Sequence, residues 1–171
     1  MSCVRIYITD IPKESQIYKG IEEYQRLARE AHTAWFDFIR DVFGNTEGYQ
    51  SISRGGLIGV QLPKGELPPA GWLPSETGWR PSYNGSRKLY ERFKALPHKP
   101  GAFEFTKMCG LKHVNIGFNY YSPSLEVSND DRWIVSIPVD ENGNHDALPD
   151  GCTELKPSEY MKLIKGVQQN G

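Results

Sequence analysis

The sequence predicts an α+β fold: a single domain over residues 1–171, with an antiparallel sheet packed against one long N-terminal helix, a Pro/Trp-rich loop and a short C-terminal helix. Three observations carry that expectation. Apolar residues between 17 and 43 recur at steps of three and four, the period of a helix with one buried face. Between 113 and 139 the period drops to two, as it does in strands with one face covered. Residues 63 to 101 hold seven of the twelve prolines and, outside 86–96, follow neither period.

The first element is "CVRIYITD", where Val4, Ile6 and Ile8 alternate with Arg5, Tyr7 and Thr9, a half-buried strand over 3–9 that ends before Pro12. Next comes the helix over 16–43. Ile17, Ile21, Tyr24, Ala28, Ala31, Trp35, Phe38 and Val42 form its stripe, and Glu22, Glu23, Arg26, Arg29, Glu30, Asp37 and Arg40 its outer face. Gly44-Asn45 supplies the stop. "LIGVQL" reads as a strand over 57–62 closed by Pro63. After it, "PPAGWLPSETGWRPS" places two Gly-Trp pairs among prolines and reads as an irregular loop. "SRKLYERFKAL" gives the short helix inside that region. Further strands are expected at 103–107, 113–120, 124–128 and 132–139, the last two joined by a Ser-Asn-Asp-Asp turn. Pro157 opens the last helix, "KPSEYMKLIKGVQQ". In this arrangement Trp35, Phe36 and Phe38 should meet Val135, Ile137, Phe118 and Ile58 in one core.

Composition narrows the function classes. The chain is 38% hydrophobic and 24% charged, an ordinary globular balance. A net charge of −1 argues against strong nucleic-acid binding, which draws on many phosphate contacts. No apolar run approaches the ~20 residues of a membrane span, and the N-terminus has no apolar signal core. Three well-separated cysteines, Cys3, Cys109 and Cys152, suit reduced thiols and a cytoplasmic setting.

The residues most suited to recognition lie in the proline-rich region. Trp72, Trp79, Arg80, Tyr83, Arg87 and Tyr90 combine flat aromatic faces with guanidinium groups, which suit a protein hot spot or a nucleotide-like ligand. The competing reading makes both tryptophans a plain cover over the sheet. "SRGGLIG" and "YNGSRK" could each offer amides to a phosphate, but neither has the spacing of a nucleotide-binding loop, and a turn and a helix cap explain them more simply. Catalytic residues are not identified; His98, Cys109 and His113 are the candidates for a His/Cys reactive group. His32, beside the apolar stripe, reads as a helix-packing histidine. Cys109 and His113 are four residues apart but lack a second tight ligand pair, so no metal is expected. "DENGNHDALPDG" lacks the glycine and glutamate placement of a calcium loop and reads as a turn. No cofactor is expected.

With its small size, its lack of catalytic motifs and the aromatic-proline loop at 68–90, the chain resembles small accessory proteins of bacteriophages. The resemblance extends loosely over the whole chain and carries no residue with it. It implies a host-directed or defence-directed binder. The leading expectation is therefore a non-enzymatic binding module that inhibits by holding a partner protein, or by sequestering a nucleotide-like ligand, through residues 68–90. The alternative is a small enzyme acting on a phosphorylated or nucleotide substrate. A third reading is an architectural subunit whose exposed aromatics form a self-association surface, as in a homodimer.

Overall fold

The computed structural model describes residues 3–54 and 57–169, with side chains at 52–54, 57–58 and 165–169 left aside. It is an α+β structure with a long helix near the N-terminus, a short one at the C-terminus and only antiparallel strand pairs among the described residues. The chain divides into two compact units, Met1–Leu27 with Pro100–Gly171, and Ala28–Lys99. Helix α1 (Gln16–Phe43) runs from the first into the second. Ser15 starts it: its hydroxyl accepts the Tyr18 N–H at 3.2 Å and satisfies one of the orphan amides of the first turn. Gly44 ends it at a φ of 75°, a left-handed position that suits glycine, with its N–H on the Arg40 carbonyl at 2.8 Å.

The first unit is built on a four-stranded sheet ordered β10-β1-β9-β8, from β1 (Arg5–Thr9), β8 (Ser124–Val127), β9 (Trp133–Pro138) and β10 (Thr153–Leu155). Val135 and Ile137 of β9 and Ile8 of β1 pack with Ile17 and Ile21 from the start of α1 and with Phe105 and Cys109. Covering both faces of β9 leaves Ile134 through Pro138 buried, so its period-two pattern does not divide an inside from an outside. Helix α4 (Pro157–Gln169) lays Tyr160 flat on Tyr7 of β1, ring centroids 3.6 Å apart. Helix α3 (Ala102–Met108) and the hairpin of β6 (Val114–Ile116) and β7 (Asn119–Tyr121) complete this unit.

The second unit has its own four-stranded sheet, ordered β2-β3-β5-β4, from β2 (Gln50–Arg54), β3 (Leu57–Gln61), β4 (Trp72–Ser75) and β5 (Gly78–Pro81). With helix α2 (Arg87–Lys94) and the second half of α1, it encloses Phe38, Ile39, Val60, Trp72, Phe93 and Leu96. The aromatic rings here interlock: Phe38 lies 5.6 Å from Trp35, 5.8 Å from Phe93 and 6.3 Å from Trp72.

Five expectations need correction. Among the described residues the strands form three sheets rather than one. Residues 103–107 are helical, because the Glu104 carboxylate accepts the Gly101 N–H at 3.0 Å and so satisfies an amide at the helix start. Residues 113–120 are two short strands around Gly117-Phe118 instead of one long strand. The proline-rich loop contains the β4–β5 hairpin: Pro74 sits in the edge strand β4 and Pro81 at the end of β5, places where a missing N–H costs least. Finally, the expected common core does not form. Phe38 belongs to the cluster of the second unit and Val135 and Ile137 to that of the first; Phe118 is fully exposed and Phe36 lies at the surface. Ile58, and Gly55-Gly56 of "SRGGLIG", fall outside the described side chains.

Candidate functional site

The two Gly-Trp pairs become opposite strands of one hairpin. Its two-residue turn is Glu76-Thr77, and Ser75 closes it by donating from Oγ to the Gly78 carbonyl at 2.8 Å. Gly78 has a φ of 97°, and a Cβ there would stand 2.6 Å from the Val60 carbonyl oxygen, so glycine is required on both counts. The pairing sends the two tryptophans to different fates. Trp72 is buried in the core of the second unit, which takes its ring away from the recognition surface expected of it. Trp79 is half-buried and paired across the sheet with both Pro74 and Val60.

The remaining members of the predicted set gather around α2. Tyr83 is 50% exposed and meets Tyr90 edge to face, with centroids 5.5 Å apart. The Arg87 guanidinium lies 5.6 Å from the centre of Tyr83, and Lys94 lies 5.5 Å from that of Tyr90. Arg87 also bonds Glu91 at 3.1 Å, which holds its side chain along the helix. Arg80 turns away from this group, its guanidinium 5.5 Å from the ring of buried Phe93, and its Nε is buried with no acceptor in the protein. The turn carrying Tyr83 is fastened to the hairpin. Ser82 donates its N–H to the Gly71 carbonyl at 2.9 Å, and a Cβ on Gly85 would meet the Gly71 Cα at 2.5 Å. "YNGSRK" thus serves as a turn and a cap, with the Ser86 hydroxyl accepting the Leu89 N–H at 3.4 Å.

Each of the three candidates for a reactive group has its own surroundings. Cys109 is 1% exposed, packed on Ile17 and Ile21, and burial raises its thiol to about 12. A thiol so strongly held in its neutral form is a packing group rather than a nucleophile. His113 stacks on Phe103 at 4.9 Å, and its Nδ1 is 2.7 Å from the Ser122 Oγ. His98 is exposed and belongs to the other unit. Among the described residues no group of three His, Cys, Asp or Glu side chains could hold a metal ion, and no helix is long and apolar enough to cross a membrane.

No family model matches the chain, and neither does any curated protein or solved structure. The residues must speak for themselves.

Two contributors escaped the sequence reading. Lys94 completes the cationic edge of the aromatic pair, which the four-residue step from Tyr90 could have shown. His32, read as a packing histidine, is exposed instead; its ring rests on Phe36 at 4.3 Å, and it lines a groove with Trp35.

Proposed function

We propose that the chain is a binding module whose contact surface is the α2 face of the 68–90 segment, and that it takes a protein partner presenting carboxylates beside an apolar group. The observation that carries this reading is the Tyr83–Tyr90 pair, half-exposed, held edge to face, and flanked by Arg87 and Lys94. Tyrosine and arginine are the residues that most often anchor an interface: they offer wide contact area and directed hydrogen bonds at small conformational cost. Here the rings are already ordered before a partner arrives, so less entropy is lost on contact. An inhibitor of a host or defence component, the kind of binder its resemblance to phage accessory proteins implies, works in this way, by occupying a partner's surface without chemistry of its own.

The test compares capture of partners from a host extract by the wild type, Tyr83→Ala and Arg87→Ala, with circular dichroism as the folding check. Tyr83→Ala should lower the recovery of a specific partner about tenfold or more. Arg87→Ala should have a smaller effect that fades as salt rises, because a rim charge is screened. Two folded variants that retain every partner would remove this face from consideration.

A further inference from the structure

The geometry points to a second, separate binding site in the Ala28–Lys99 unit, one that takes a nucleoside monophosphate. It occupies the groove beside the middle of α1. The larger chamber, about 630 Å³, is lined by Arg29, His32, Trp35, Ser51, His98 and Lys99 among others. A second chamber of about 310 Å³ shares His32, Trp35 and Ser51 with it and adds Phe36, Ile39 and Tyr49. The larger volume is in the range of sites for small organic ligands.

Two features select the ligand. The first is charge: among the described residues lining either chamber there is no carboxylate, while Arg29, Lys99 and two imidazoles stand around the larger one. An anion with several acceptor oxygens answers that surround. The second is shape. Trp35 and Phe36 give the groove aromatic walls, and Trp35 is braced from behind by Phe38, stacked at 5.6 Å and 9°, so its indole is held in place for a flat ring. A heteroaromatic base carrying a phosphate answers both at once, with the phosphate toward Arg29 and His98 and the base against the face of Trp35.

This site does not depend on the Tyr83–Tyr90 face, and the experiment keeps the two apart. The full-length protein is titrated calorimetrically with each of the four common nucleoside monophosphates, with adenosine and with inorganic phosphate. At least one monophosphate should bind with one-to-one stoichiometry, at least tenfold more tightly than adenosine or phosphate. Arg29 and His98 are exposed, so Arg29→Ala and His98→Ala should fold normally, and each should weaken binding about tenfold or more. Trp35→Leu, which removes the flat ring, should weaken it as well, with circular dichroism as the folding check. Tyr83→Ala should leave it unchanged. The proposal falls if none of the four binds at millimolar concentration, or if phosphate alone binds as well as the nucleotides. It also falls if Arg29→Ala and His98→Ala both bind as the wild type does, or if Tyr83→Ala abolishes binding that those two retain.

Discussion

At the scale of single residues, close packing assigns roles that composition cannot. Cys109 is an example: as a member of a three-cysteine set it could be a nucleophile, and only its surroundings show otherwise. A Cβ on Gly20 of α1 would meet the Cys109 Sγ at 2.6 Å, so helix backbone presses directly on the thiol. Its sulfur lies 3.7 Å from the Ile17 carbonyl oxygen, a weak bond that fits the neutral form. The folded state therefore raises the thiol from its ordinary 9.0 to about 12. A group raised in this way contributes its full stability below the unfolded value and loses that contribution as pH climbs through the folded one. Stability should accordingly fall between about pH 9 and pH 12, and Cys109→Ala should make that alkaline loss shallower. Peptide mapping after alkylation at pH 8 should find Cys109 unmodified under conditions that label the less buried Cys3. Labelling of both at equal rates would show that the thiol is accessible after all.

At the scale of elements, what was legible followed the strength of the local period. The helix over 16–43 was plain because eight apolar positions agree on one face. The strands at 3–9, 57–62, 124–128 and 132–139 were also readable, since each is a short apolar run ended by a proline or a polar turn. Residues 103–107 were misread because "FEFTK" alternates by chance, while the signal that decides it, a glutamate reaching back to Gly101, lies outside the alternation. The β4–β5 hairpin was hidden by its prolines, which argue against strands until it is known which strand is an edge. For the candidate site, the residue types were legible but not which of them share a face: that depends on hairpin register, which sent Trp72 inward, and on the turn from Ser82 to Gly85, which left Tyr83 out. The register itself rests on Gly78. Gly78→Ala adds both left-handed strain and a contact with the Val60 carbonyl, so it should cost about 1–3 kcal/mol in chemical denaturation. An unchanged midpoint would mean that the hairpin can re-form around an alanine.

At the scale of the whole molecule, Phe38 and the pair Val135 and Ile137 lie in separate clusters of buried residues. Phe38 is fully buried among Trp35, Trp72 and Phe93, all within the Ala28–Lys99 unit. Phe38→Ala removes the ring on which the others converge and should cost about 3–5 kcal/mol. Hydrogen exchange should show where the loss falls. Amides of β3, β5 and α2 should lose protection, while those of β1 and β9 keep most of theirs. Equal losses in both sets would show that the two clusters melt as a single cooperative body.

The strand order of the first sheet also bears on how the chain is made. β1 leaves the ribosome well before its partners β9, at residues 133–138, and β10, at residues 153–155. Until those residues emerge, both of its backbone edges go without the neighbours they will have in the finished sheet. The four strands of the second sheet, by contrast, all lie between residues 50 and 81, and each can find its partner as soon as that stretch has emerged. Translation thus lets the later-made sheet of residues 50–81 close while the earlier-made β1 still waits for strands that follow it.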